Sequence, residues 1–196
     1  MDKNVLKKRK DVIRKSMQLF YYQGYVNTGV NEILSVCKIP KGSFYYYFKN
    51  KDDLLKEVID LHTEELLKVF DDIVDDLSMV KLRSFFSRYF SSVENNACHG
   101  GSLLGNLAIE MSDINEEIRN KIEDSYGKIE IRLMVFLQMI SNTNSRYKHI
   151  CPEIYSKILL NQMEGTMLKL KSSRNKDEIE SFFKLFDHLM YKKMWE

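Results

Sequence analysis

Apolar residues recur along this chain at three- and four-residue spacing almost from end to end, the period of a helix with one buried face. From about Val5 to Gln23 the stripe is Val12, Ile13, Met17 and Phe20, and Gly24 is a natural stop. Thr28 then sits where an N-cap belongs, and Val30, Ile33, Leu34 and Cys37 follow on one helical face. Pro40 suits the first position of another short helix, which has no use for the N–H that proline lacks, and Phe44 and Phe48 give that helix an inward side. Asn50 is a second cap, followed by Asp52 and Asp53 in a first turn, where carboxylates favour the positive end of the helix dipole. The helix it opens is predicted to reach about Leu77, with Leu55, Val58, Ile59, His62, Leu66, Val69 and Ile73 as its stripe. Further helices are predicted near 79–95, 103–111, 114–141, 153–171 and 176–194, with polar breaks at Asn142–Ser145 and Ser172–Asn175. No run alternates like a strand, so the prediction is an all-α chain of about nine helices.

Composition narrows the class. With 44% hydrophobic and 30% charged residues the chain is globular, which excludes a disordered or collagen-like protein. No stretch approaches the roughly 18 consecutive apolar residues of a membrane span, and the N-terminus leads into a charged helix, not an apolar secretory segment. Cys37, Cys98 and Cys151 give an odd count without CxxC spacing, which fits a reducing compartment. A cytoplasmic protein with no membrane partner is expected. The formal charge of +2 conceals an asymmetry: residues 1–60 hold 12 basic and 7 acidic side chains, residues 61–196 hold 18 and 21. A basic N-terminal part suits phosphate. Nothing supports an enzyme, because a Gly-rich phosphate loop, GxSxG and HExxH are all missing. Neither Cys98-His99 nor His149-x-Cys151 has zinc-motif spacing, so no metal and no cofactor is expected.

Two short helices joined by a tight turn, the second showing polar and aromatic side chains, form the arrangement that places a recognition helix in a DNA major groove. On the second helix Lys41 aligns with Tyr45, Gly42 with Tyr46 and Ser43 with Tyr47, while Phe44 and Phe48 face inward. Three consecutive tyrosines outside a core are costly unless they touch something; their other reading is a buried aromatic cluster. Thr28-Gly29-Val30-Asn31-Glu32-Ile33, followed by Ile39-Pro40-Lys41-Gly42-Ser43-Phe44-Tyr45-Tyr46-Tyr47-Phe48-Lys49-Asn50-Lys51, resembles the signature of the TetR family of bacterial regulators. The resemblance implies phosphate or backbone contacts from Thr28, Lys41, Gly42, Tyr47 and Lys51, and base-edge contacts from Ser43, Tyr45 and Tyr46. Lys38 stands where many members have glycine, so a positive φ there would carry about 1 kcal/mol of strain.

The same resemblance implies a DNA-binding domain over 5–65, with its helix-turn-helix near 29–48, and a helical ligand-binding and dimerisation domain over 66–196. A homodimer is expected through 153–171 and 176–194, where Ile179, Phe182, Phe183, Phe186, Leu189 and Met190 make a broad apolar face. Eight of the ten methionines follow residue 75, together with many aromatics, a mix that suits an adaptable cavity or a packed core equally. Candidate ligand contacts are Phe86, Tyr89, Phe90, Cys98, His99, Ser102, Asn106, Tyr126, Met163 and Met167. Gly101-Ser102-Leu103-Leu104-Gly105-Asn106-Leu107-Ala108-Ile109-Glu110 is similar to a stretch of a TetR branch that includes regulators responding to electrophiles and acrylate-like acids. A cysteine commonly stands in that branch where this chain has Ser102, and a hydroxyl lacks thiolate reactivity. The expected function is a ligand-responsive transcriptional regulator, a repressor released from a palindromic DNA operator by a small-molecule inducer. The alternatives are a ligand-independent architectural DNA-binding protein and a thiol-based sensor using Cys98.

Overall fold

The computed structural model describes residues 3–94 and 97–191. Among them are nine α-helices and no strand: α1 (Lys3–Gln23), α2 (Val30–Cys37), α3 (Lys41–Tyr47), α4 (Lys51–Ile73), α5 (Met79–Glu94), α6 (Leu103–Met111), α7 (Glu116–Thr143), α8 (Pro152–Ser173) and α9 (Asp177–Tyr191). A 3₁₀ turn at Ser145–Tyr147 precedes α8. Residue 95 and residues 192–194 of the expected helices lie outside the described residues.

The chain forms two compact units. The first comprises the residues up to Glu64 together with Leu103–Ser125, the second Glu65–Ser102 together with the residues from Tyr126 onward. The change from the first unit to the second after Glu64 falls inside α4, and α6 and the first part of α7 are grouped with the first unit. Its core takes Val12, Ile13 and Phe20 from α1, Ile33 from α2, Phe44 from α3 and Phe48 just after it, all nearly sealed from solvent. Leu54, Leu55, Val58 and Ile59 of α4 and Leu103, Leu104, Leu107 and Met111 of α6 are buried too.

Most helix ends fall within two residues of the expected positions, and three boundaries differ in a way the local chemistry explains. Gly29, not Thr28, is the N-cap of α2, because the Thr28 hydroxyl donates backward to the Gly24 carbonyl at 2.7 Å. Pro40 is the N-cap of α3, one position before the first helical residue. α4 stops at Ile73, short of Leu77; Asp71, Asp72, Asp75 and Asp76 crowd that end with negative charge, which the helix dipole disfavours. Asn50 caps α4 as expected, its Oδ1 accepting from the Asp53 N–H at 2.8 Å. Lys38 ends α2 at φ 54° and ψ 47°, its N–H donating to Ser35 O while the Ile39 N–H reaches Leu34 O, a Schellman-type cap with lysine where glycine is favoured.

The second unit is built on an aromatic cluster. Phe86 meets Phe182 and Phe186 at ring separations of 5.0 and 5.8 Å, Phe90 meets Phe182 at 4.8 Å, and Phe70 meets Phe85 at 5.0 Å. Such edge and tilted contacts add to the burial of apolar area. Met163, Met167 and Leu170 of α8 and Met190 of α9 are sealed within the same unit.

Candidate functional site

α3 is sharply two-sided. Phe44 and Phe48 are buried, while Tyr45 and Tyr46 are 51% and 67% exposed and Lys41 and Gly42 stand in solvent. Ser43 and Tyr47 are half-buried beside them. The tyrosine run is thus outside the core, and the reading of a buried aromatic cluster does not hold for Tyr45 and Tyr46. Their rings are held by local edge contacts, Tyr45 against Phe44 at 5.3 Å and Tyr46 against Tyr47 at 5.5 Å. Hydroxyls and flat rings are so presented on a helix anchored from below, beside the ammonium of Lys41.

Two of the residues expected to contact DNA hold partners within the chain. Thr28 is fully buried, so it offers no surface to phosphate. The Lys51 ammonium donates to the carbonyls of Tyr25 and Thr28, each at 2.9 Å, and lies 4.0 Å from the centre of the Tyr25 ring. Burial pulls the Lys51 ammonium below its ordinary pKa, opposed by the nearby carboxylates of Asp52 and Glu110. Lys51 is therefore a clamp on the turn before α2. In the basic run of α1, Arg9 is likewise engaged: it pairs with Glu57 at 2.8 Å and lies over the Phe48 ring at 5.0 Å.

Other elements close on the same turn. The Tyr25 hydroxyl donates to Asp52, whose second oxygen accepts from the Asn115 amide at 3.1 Å. Glu110 of α6 accepts from the Val26 N–H at 3.0 Å and approaches Gly24 so closely that a Cβ there would lie 2.3 Å from its carboxylate oxygen. Gly24 has φ +86°. The backbone conformation favours glycine, and any larger residue would have to displace the Glu110 carboxylate. α4 and α6 together fix residues 24–28, and these residues lead directly into α2.

In the second unit, three expected ligand residues converge on a carboxylate that sequence reasoning missed. The Tyr89 hydroxyl donates to Glu164 at 3.2 Å and the Tyr126 hydroxyl at 3.1 Å, and the Ser102 hydroxyl is a third partner. Glu164 is half-buried. Desolvation pushes its pKa up, against the three hydroxyls, which favour the charged form. Tyr89 is pushed well above the ordinary phenol value, chiefly by burial and then by the Glu164 charge. The available sequence signal was a glutamate one residue after Met163 and three before Met167, on the edge of a buried helix face.

The remaining expected ligand residues are distributed as follows. Phe86 and Phe90 belong to the aromatic cluster, and Met163 and Met167 are sealed on α8. Asn106 is on α6, which belongs to the first unit. Cys98 is only 2% exposed, at φ 61°, and its carbonyl accepts from Arg174 at 2.7 Å, whereas His99 is exposed. A thiol so covered is shielded from electrophiles in solution, which counts against the sensor reading. The Met- and Phe-rich part also carries an open cleft of about 230 Å³ lined by Phe70, Val74, Phe136 and Met139, with Asp71 and Arg132 at its rim. None of the expected ligand residues lines it.

Two family models match in tandem: "Bacterial regulatory proteins, tetR family" over residues 12–58 and "Tetracyclin repressor-like, C-terminal domain" over 78–186. The chain is 23% identical to the HTH-type transcriptional repressor DhaR of Mycobacterium sp. strain GP1, across 89% of this chain and 87% of that one. It is 27% identical to an HTH-type transcriptional regulator in the lacX 3' region of Lactococcus lactis, covering 93% and 92%. The crystal structure of reduced E. coli NemR shares the fold with a TM-score of 0.84 at 19% identity, over 96% of this chain and all of that one. The exposed face of α3, the clamped turn before α2 and both family matches agree: the chain belongs to the TetR family of transcriptional regulators, which bind DNA operators and small-molecule ligands, typically as homodimers, and are generally not enzymes.

Proposed function

We propose that this protein represses transcription as a homodimer on a palindromic operator in the bacterial cytoplasm and is released by a small-molecule inducer held in the second unit. The observation that carries the reading is the two-sidedness of α3: Tyr45 and Tyr46 stand exposed over a buried Phe44 and Phe48. Lys41 and Gly42 at the start of the helix suit phosphate and close backbone approach, and Ser43, Tyr45 and Tyr46 suit base edges. Exposed Ile154 and Leu168 on α8, with half-buried Ile179, Phe183 and Leu189 on α9, support pairing through these helices. Two copies of α3 about 34 Å apart would read successive major grooves.

Release by a ligand requires that it favour one of two conformations, with coupling on the order of 1–3 kcal/mol. The chain passes from one unit to the other three times, inside α4, at the start of α6 and inside α7, and the first and last of these crossings lie within a continuous helix. The test is quantitative binding of Tyr45→Ala and Tyr46→Ala. Each is expected to lose about 1–3 kcal/mol of specific affinity with unchanged helical content. Wild-type affinity in both variants would refute α3 as the reading element.

A further inference from the structure

Buried carboxylates are ordinarily matched by a cation, because enclosing a lone charge costs several kcal/mol. Glu164 departs from this pattern. Its partners include the hydroxyls of Tyr89, Tyr126 and Ser102, and among the described residues no ammonium or guanidinium pairs with it. A carboxylate offers about four acceptor positions. None of these three hydroxyls supplies positive charge. Tyr89 and Ser102 are buried beneath the carboxylate, whereas Tyr126 and Glu164 keep accessible surface, which leaves one side approachable. An apolar wall adjoins it: the Tyr89 ring lies 6.5 Å from Phe85 and 5.7 Å from Phe90. The site therefore combines a carboxylate that no cation among the described residues neutralises with neighbouring aromatic rings, whose faces attract cations.

We propose that Glu164 anchors a ligand carrying a protonated amine, its ammonium on the carboxylate and its hydrocarbon part against the aromatic wall beside Tyr89. This rests on the reading that the second unit holds the inducer, and it specifies the chemistry of that inducer. An anionic ligand would place like charge on Glu164 in a desolvated setting, and an uncharged one would leave the carboxylate without a counterion.

The test is thermal shift and titration calorimetry of the full chain with benzylamine and hexylamine, set against benzyl alcohol, hexanol, phenylacetate and hexanoate. Both amines are expected to raise Tm at millimolar concentration, with little effect from their uncharged and anionic counterparts. Glu164→Gln is expected to weaken amine binding at least about tenfold. Tyr126→Phe, which removes one competing donor and keeps the ring, is expected to bind the amines at least as tightly as wild type. The proposal is overturned if neither amine binds, if a counterpart binds as well, if Glu164→Gln leaves amine affinity unchanged, or if Tyr126→Phe abolishes it. Anisotropy of labelled DNA, recovered by selection for binding, separates this from the inducer reading. An amine that binds through Glu164 and leaves DNA affinity unchanged supports the amine site and refutes induction there. An anion or alcohol that binds and releases DNA keeps induction and overturns the amine site.

Discussion

Gly24 and Glu110 provide the sharpest energetic test of the turn that leads into α2. Gly24→Ala places a Cβ at φ +86°, which costs an L-residue about 1 kcal/mol. The new atom would also lie 2.3 Å from the Glu110 oxygen, so the carboxylate must swing away. That movement breaks the 3.0 Å bond from the Val26 N–H, a charge-assisted bond at an exposed site worth about 1.5 kcal/mol. The single variant should thus lose about 2.5 kcal/mol, the sum of these two effects. Glu110→Ala removes only the bond and should lose about 1.5 kcal/mol. In the double variant there is no carboxylate left to displace, so the loss should remain near ~2.5 kcal/mol and not reach the additive ~4 kcal/mol. Urea unfolding of the four proteins, followed by far-UV circular dichroism, measures this cycle. Additivity within about 0.5 kcal/mol would refute the claim that Glu110 and Gly24 share one interaction.

Lys38→Gly should stabilise the protein by about 1 kcal/mol, seen as a higher urea midpoint, because glycine carries no Cβ penalty at φ 54°; a lower midpoint would contradict it. Burial lowers the His62 imidazole from its ordinary 6.5 to about 4, so it is neutral in the folded chain. As pH falls from 6.5 towards 4 the unfolded chain takes up a proton that the folded chain refuses, and stability is lost across that window. Relative to His62→Gln, the wild type should lose about 3 kcal/mol between pH 7 and 4 in urea titrations; parallel pH profiles would refute a desolvated ring.

Local pattern disclosed the helices well, because stripes such as Val12, Ile13, Phe20 and Phe44, Phe48 are set by period alone. The inward and outward faces of α3 followed from the same period. The partners of Thr28 and Lys51 were not legible because only the folded turn provides them: the Gly24 carbonyl for one, the Tyr25 and Thr28 carbonyls for the other. Family motif positions named them as candidates, and tertiary hydrogen bonding decided what they hold. The packing of α6 with the first unit was equally invisible, since an amphipathic stripe says that a face is buried and not against what. Tyr89, Ser102 and Tyr126 were legible singly as ligand candidates. Their convergence on Glu164 was not, because the four come from three helices and a loop.

The central claim is that a dimer of this chain reads a two-fold symmetric DNA site through α3. It is tested most directly by selecting bound duplexes from a random-sequence library with the purified full chain at moderate salt and sequencing them. The account predicts an enriched inverted repeat whose half-site centres lie about one helical turn, or a multiple of it, apart, with enrichment lost in Tyr45→Ala. Retention of DNA with no enriched sequence, or enrichment of a single unrepeated site, would contradict it.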